Sequence, residues 1–258
     1  MTYNNLLLKI SNKAALVTIN RPNQLNALNA ETIAELSSCI DSLVANQDVR
    51  VIMLTGSGEK SFVAGADIKE FASFSSAQGA ELSRKGHESL FNKVENCSKP
   101  VIALVNGFAL GGGLELVMSC HFRIASENAK LGLPEVGLGV IPGYGGTQRL
   151  PQLVGKGRAM EMIFTAKMIS AEEAEKMGLV NSVHRLEELQ EAGEKIAKAI
   201  CRNSGNAISE AIKAVNAGYG FQQQGLDGEI EAFGNCFGTP EFVEGTTAFL
   251  EKRKANFA

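Results

Sequence analysis

The 258-residue chain has no apolar run of roughly eighteen residues, so no membrane-crossing helix is expected. Basic residues are not in excess. The 25 Lys and Arg face 28 Asp and Glu, for a net charge of −3, which leaves no basic signature for a nucleic-acid partner. Cysteine is sparse: Cys39, Cys97, Cys120, Cys201 and Cys236 show neither CxxC nor metal-ligand spacing. Their odd number suits a reducing compartment. The histidines His87, His121 and His184 form no triad or metal constellation, and His121, in an apolar stretch, is expected to be structural. The glycine-rich run from Ile141 to Gly146 is not followed by Gly-Lys-Ser/Thr, which excludes a phosphate loop. The start of the chain passes into Leu6-Leu7-Leu8-Lys9-Ile10 without a secretory apolar region or an arginine-rich presequence, so a cytoplasmic location is expected.

What the chain does have is Ala109-Leu110-Gly111-Gly112-Gly113-Leu114-Glu115, followed by Leu133-Pro134-Glu135. The apolar, β-branched run Val101 to Val105, closed by Asn106-Gly107, predicts a buried strand. Leu114, Val117 and Met118 then follow at helical spacing. The glycines therefore fall at a helix start, where N–H groups lack internal acceptors and the dipole favours negative charge. A tight turn with close helix–strand packing would use the same residues. A second segment, Phe62-Val63-Ala64-Gly65-Ala66-Asp67-Ile68-Lys69, follows the strand pattern of residues 50–55. Small residues at 64–66 again bare the backbone, Asp67 is a candidate cap, and Lys69 suits a phosphate-bearing ligand. Alone, it is an ordinary strand-to-helix turn; with residues 111–113 it offers the second half of a two-donor hole. Backbone donors beside two carboxylates are the parts needed to polarise a carbonyl and move a proton next to it.

These segments resemble the enoyl-CoA hydratase (crotonase) family. The resemblance extends over Asn20-Arg21-Pro22, Asn26-Ala27-Leu28-Asn29, the stretches around 64–69, 106–115 and 133–135, Ile141-Pro142-Gly143-Tyr144-Gly145-Gly146-Thr147-Gln148-Arg149-Leu150, and the tail from Thr247 to Phe257. Each motif is weak alone; all of them in order are specific. The resemblance implies an oxyanion hole made by the backbone N–H groups of Ala66 and Gly112, and a catalytic pair, Glu115 and Glu135. It implies a coenzyme A site at Ala64, Asp67, Ile68 and Lys69, with Lys252 reaching a coenzyme A held by a neighbouring subunit. Glu115 is expected to deprotonate the water that attacks C3, and Glu135 to protonate the α-carbon. No metal or cofactor is called for, because coenzyme A arrives as part of the acyl-CoA thioester substrate. Leu133 departs from several hydratases, which carry glutamine there, and leaves acyl-chain preference open. Alternatives on the same scaffold are an enoyl-CoA isomerase, a hydratase for branched or dicarboxylic acyl groups, and a noncatalytic assembly protein. Two retained glutamates favour hydration.

The expected fold class is α/β: by resemblance, a spiral of ββα units followed by a helical trimerisation region, with trimers able to pair into hexamers. The chain divides softly into a core over 1–200 and a helical region over 201–258. Strands are expected at 5–10, 14–20, 50–55, 101–106, 121–125 and 179–183, and helices at 30–45 and 81–95. Beyond residue 200, apolar stripes run through Ile208, Ala211, Ile212 and Val215, through Leu226, Ile230, Phe233 and Phe237, and through Phe242, Thr246, Phe249 and Leu250. With no strand left to cover, such stripes suit subunit contact. Residues 70–86 are expected to be mobile and to close over the acyl chain. Arg149 is expected to be a structural ion-pair residue.

Overall fold

Strands β1 (Leu6–Ser11) and β2 (Ala14–Ile19) open the chain as an antiparallel hairpin. Helix α1 (Ala30–Ala45) follows, started by Asn29, whose side chain accepts the N–H of Thr32. The computed structural model describes residues 2–218 and 222–256, so the expected match at Phe257 lies outside the described residues.

A pattern then recurs. The chain lays one strand in a first sheet, the next in a second sheet, and returns through helix. The first round is β3 (Val51–Gly56), β4 (Ser61–Ala64) and α2 (Ser76–Gly86), continued by a π-turn (His87–Phe91) and α3 (Asn92–Glu95). The second is β5 (Val101–Val105), β6 (Phe108–Leu110) and α4 (Gly112–Ser119). The third is β7 (Phe122–Ser126), β8 (Lys130–Gly132), α5 (Gly146–Val154) and α6 (Lys156–Thr165). Then come β9 (Met168–Ser170), α7 (Ala171–Lys176), β10 (Val183–His184) and α8 (Leu189–Ile200). The first sheet has the order β1-β2-β3-β5-β7-β10 and the second β4-β6-β8-β9. Each round thus advances both sheets by one parallel strand, which is a spiral.

Buried asparagine pins these sheet-to-sheet corners. Asn106 accepts the N–H of Gly56 at 3.0 Å and donates to the carbonyls of Gly56 and Gly58 at 2.9 and 2.7 Å. Asn26 donates to Ser57 and Ser61 carbonyls at 3.0 and 2.8 Å. A side chain that supplies both donor and acceptor satisfies backbone that neither sheet can reach. The inner strands of the first sheet, β2, β3, β5 and β7, are near-continuous apolar runs because both faces are covered, whereas the edge strand β1 is exposed beyond Leu6. One face meets Leu36, Phe62, Leu90 and Leu114; the other meets Leu189 and Ala197 of α8.

The last three helices are α9 (Gly205–Ala217), α10 (Gln222–Cys236) and α11 (Pro240–Leu250). The α10 stripe is buried within this chain, and the α11 stripe only in part: Phe242 and Thr246 are buried, whereas Phe249 and Leu250 are 55% and 44% exposed. Phe233 and Phe237 of α10 pack over α2, where a Cβ on Gly79 would stand 2.4 Å from the Phe237 ring. Phe242 of α11 packs near the turn that carries Glu135. The stripe of α9 differs: it has no buried residue and Val215 is 62% exposed. The segment 70–86 is mostly α2, fixed at its start by a reciprocal Ser75–Gln78 capping box. The strand expected at 179–183 is only Val183–His184.

Candidate active site

Helix α4 begins at a backbone that few residues tolerate. Gly111 has φ +51° and donates its N–H to the Gly132 carbonyl at 3.0 Å, which ties the glycine run to β8. Gly113 lies so close to β4 that a Cβ would stand 2.1 Å from the Val63 carbonyl oxygen. This contact brings the start of α4 against the segment 64–66. Leu28 bonds to Gly65 O and Asp67 N, so strand alternation turns the N–H of Ala66 the other way. The first N–H groups of α4, Gly112 among them, have no acceptor within the helix. A Cβ on Gly112 would lie 3.8 Å from Ala66 N, so the two donor segments are adjacent.

Beside them is a cavity of about 180 Å³, lined by Ala66, Gly111, Glu115, Glu135, Tyr144 and Phe233 among others. Its walls are mainly apolar. Wider grooves exist, one of about 510 Å³ beside α9, but that one brings no pair of carboxylates to a bared backbone, so volume alone does not mark the chemistry.

Glu115 lies in the first turn of α4 and is 1% exposed. Its Oε1 accepts the N–H groups of Tyr144 and Gly146 at 2.7 and 2.8 Å. Burial raises its carboxyl well above 4.5, helped by the charges of Glu135 and Glu229 and opposed by the two N–H donors. Glu135 opens a short 3₁₀ turn, Glu135–Leu138, after Pro134. The residue is only half-buried, yet its Oε2 is covered and has no hydrogen-bond partner among the described residues. Burial is the main cause that pushes its carboxyl up to about 8. Each negative charge disfavours the other, so the two carboxyls titrate as a coupled pair.

The run Gly143–Thr147 is anchored on every side. Ser83 Oγ donates to the Gly143 carbonyl at 2.6 Å, and Arg149 Nη1 to that of Tyr144 at 2.9 Å. The same guanidinium pairs with Glu95 at 2.7 Å and Asn92 at 3.0 Å, as expected of a structural ion-pair residue. Tyr144 stacks on Phe91 with ring centroids 4.6 Å apart. His121 Nδ1 accepts the N–H of Val101 at 2.8 Å, in keeping with a structural role.

Of the residues singled out from sequence, Ala64, Ala66, Ile68, Glu115 and Glu135 all line the cavity. Asp67 instead faces Arg21 at 3.5 Å. Lys69 and Lys252 are exposed and line no part of the cavity. Leu133 is fully buried, and its side chain approaches Gly146 beside Glu115. One residue was missed. Glu229 of α10 is 3% exposed and accepts the N–H groups of Gly145 and Thr147 and the Thr147 hydroxyl. The signal for it was present: Glu229 falls on the apolar stripe between Leu226 and Phe233, where a charge has no place without partners.

Residues 9–258 match the model of the enoyl-CoA hydratase/isomerase family. The chain is 48% identical to the short-chain-enoyl-CoA hydratase of Clostridium acetobutylicum, over 98% of this chain and 97% of that protein. It is also 48% identical to the crotonyl-CoA hydratase of Syntrophomonas wolfei, over 100% and 99%. Among solved structures, an enoyl-CoA hydratase from Bacillus anthracis superposes with a TM-score of 0.78 at 39% identity, covering 98% of this chain and 99% of that one. An enoyl-CoA hydratase/isomerase from Xanthobacter autotrophicus superposes with a TM-score of 0.90 at 28% identity, covering 100% of both. The chain belongs to the enoyl-CoA hydratase/isomerase family.

Proposed function

We propose that this protein is an enoyl-CoA hydratase that adds water reversibly to a short trans-2-enoyl-CoA and yields the 3-hydroxyacyl-CoA. The observation that carries it is the presence of Glu115 and Glu135 on one small cavity beside the bared backbone of Ala66 and the start of α4. In the proposed reaction the thioester oxygen sits between the N–H groups of Ala66 and Gly112. Addition at C3 places negative charge on that oxygen, where each donor contributes about 3 kcal/mol. Glu115, held by Tyr144 and Gly146, takes a proton from the attacking water. Glu135 delivers its proton to C2, a task suited to a carboxyl that stays protonated near neutral pH. The roles reverse for dehydration.

The cavity is small and apolar, which suits a short acyl chain; Phe71, Leu138 and Phe233 help to bound it. Coenzyme A is assigned to the surface at Ala64, Asp67, Ile68 and Lys69, with Lys252 serving a coenzyme A on a neighbouring subunit. A trimer, or a hexamer of paired trimers, is supported by the exposed apolar stripe of α9. Residues 1–200 form the catalytic core in this view, and 201–258 the helical assembly region. Free thiols at all five cysteines fit a cytoplasmic location.

The test follows crotonyl-CoA by the absorbance of its conjugated thioester. The expected result is rapid loss with formation of 3-hydroxybutyryl-CoA. Glu115→Gln and Glu135→Gln should each lower kcat by about 10²- to 10⁴-fold while still binding the thioester. Wild-type turnover in either variant would remove that glutamate from the mechanism. Binding without turnover by the unaltered protein would point to another reaction of the family.

A further inference from the structure

We propose that Glu229 is a positioning residue for hydration: from helix α10, in the C-terminal helical region, it sets the loop that aims Glu115. The inference rests on the assignment of Glu115 and Glu135 as the catalytic pair. Its basis is an alternation. The successive N–H groups of Tyr144, Gly145, Gly146 and Thr147 go to Glu115, Glu229, Glu115 and Glu229. Two carboxylates on opposite sides thus hold one loop. Glu115 Oε1 receives both of its bonds from the residues between and beside those that Glu229 holds.

The geometry leaves little slack. Gly146 and Thr147 begin α5, where N–H groups have no helical acceptor. Without Glu229, the Gly145 and Thr147 donors lose their acceptors in a buried site, and the loop turns to recover them. The N–H groups of Tyr144 and Gly146 turn with it, and Glu115 Oε1 is no longer fixed. Glu229 also reaches beyond the loop. His87 Nε2 stands 3.2 Å from Glu229 Oε1, and neither ring nitrogen has a hydrogen-bond partner among the described residues. Because α10 lies on α2, seating of this helix completes the catalytic loop.

The charge of Glu229 acts on the pair as well. The titratable and charged groups around it are His87 from the π-turn, Glu115 from α4, Glu135 from its 3₁₀ turn, and Tyr144 and Arg149 from the loop and α5. The α2 face is closed at its contact with α10 by Gly79 and Ala80, which carry no charge. Glu229 raises the carboxyls of both Glu115 and Glu135.

Glu229→Gln keeps the shape, replaces one acceptor oxygen with a donor and removes the charge. The expected result with crotonyl-CoA is a fall in kcat of about 10- to 100-fold with KM within about twofold. The basic limb of the kcat–pH profile should also move to lower pH, because a like charge near the pair is gone. A role confined to folding would lower the folded fraction and leave the limb in place. A folded Glu229→Gln enzyme with unchanged kcat and an unmoved limb overturns the proposal. If that variant does not fold, Thr147→Val, which loses the hydroxyl that donates to Glu229 and accepts from Gln148 Nε2, should lower kcat about 3- to 10-fold at constant KM; full kcat there overturns it. Glu115→Gln and Glu135→Gln run in parallel. Activity retained in those two refutes the catalytic pair itself, whereas their loss beside a normal Glu229→Gln refutes only the role of Glu229.

Discussion

Replacement of Glu135 by Gln should stabilise the protein at high pH while it removes activity. Glu135 Oε2 is buried without a partner, and burial raises the carboxyl from 4.5 to about 8. The folded protein therefore binds this proton more tightly than the unfolded chain. The associated stability is fully present below about pH 4.5 and is lost as pH rises to about 8. Between about pH 5 and pH 8 the loss runs at about 1.4 kcal/mol per pH unit, or about 4 kcal/mol in all. Glutamine does not titrate, so the variant lacks this slope. Its amide leaves a buried group unpaired at a cost of about 1–3 kcal/mol, but that cost is the same at every pH and cancels in the comparison. Neutralising position 135 also lets Glu115 ionise more readily, since the Glu135 charge raises it, and this acts in the same direction. Urea unfolding at about pH 5, 7 and 9, at one protein concentration to hold assembly constant, reads the effect. Wild type and Glu135→Gln should diverge by about 4 kcal/mol across that range, in favour of the variant. Parallel stability–pH curves would refute the claim that this carboxyl is held protonated by the fold.

Two further outcomes test the frame of the site. Gly113→Ala would place a Cβ 2.1 Å from the Val63 carbonyl and push α4 away from β4, so a loss of about 3 kcal/mol is expected, read as a lower thermal midpoint; an unchanged midpoint would mean that the two elements yield freely. Lys252→Ala should raise KM for crotonyl-CoA about 3- to 10-fold with little change in kcat, because a lost phosphate contact weakens ground and transition states alike. Equal KM values would remove Lys252 from the coenzyme A site.

The long elements were legible because their residues obey one rule over many positions. Helix 30–45 shows Ile33, Leu36, Ile40 and Leu43 on one face in the sequence, and the structure has Ala30–Ala45. The inner strands of the first sheet are apolar because both faces are covered, and the sheet's strands lie within a residue or two of their expected places except at 179–183. The second sheet left no periodic trace. Its strands have only three or four residues, too few for alternation to emerge, and it was foreseen only through the family resemblance. The C-terminal stripes were legible as stripes but not as to what they cover. Phe237 meets α2 over the bare face of Gly79, Gly234 admits Ala80 of α2, and Phe233 lies over Gly143, contacts set by segments far apart in the chain. Among candidate site residues, Ala66, Glu115 and Glu135 converge on the cavity, whereas Lys69 stays exposed beyond it.

Three carboxylates gathered around one loop pose a problem that the loop's composition answers. Burying charge is costly unless donors meet it, and Lys or Arg at each carboxylate would fix both glutamates as anions and prevent Glu135 from holding a proton. Backbone N–H groups give a milder solution, since they stabilise an anion without a full opposing charge. Supplying four of them in succession from Tyr144 to Thr147 requires a chain that can turn between two carboxylates, and Gly145 does so at φ +98°. A Cβ there would strike Arg149 at 1.9 Å, and one on Gly146 would stand 2.9 Å from Glu115 Oε1. The glycines of this run therefore serve electrostatics as well as space. They let Glu115 and Glu229 be held by donors while Glu135 Oε2, which receives none, keeps its high affinity for a proton.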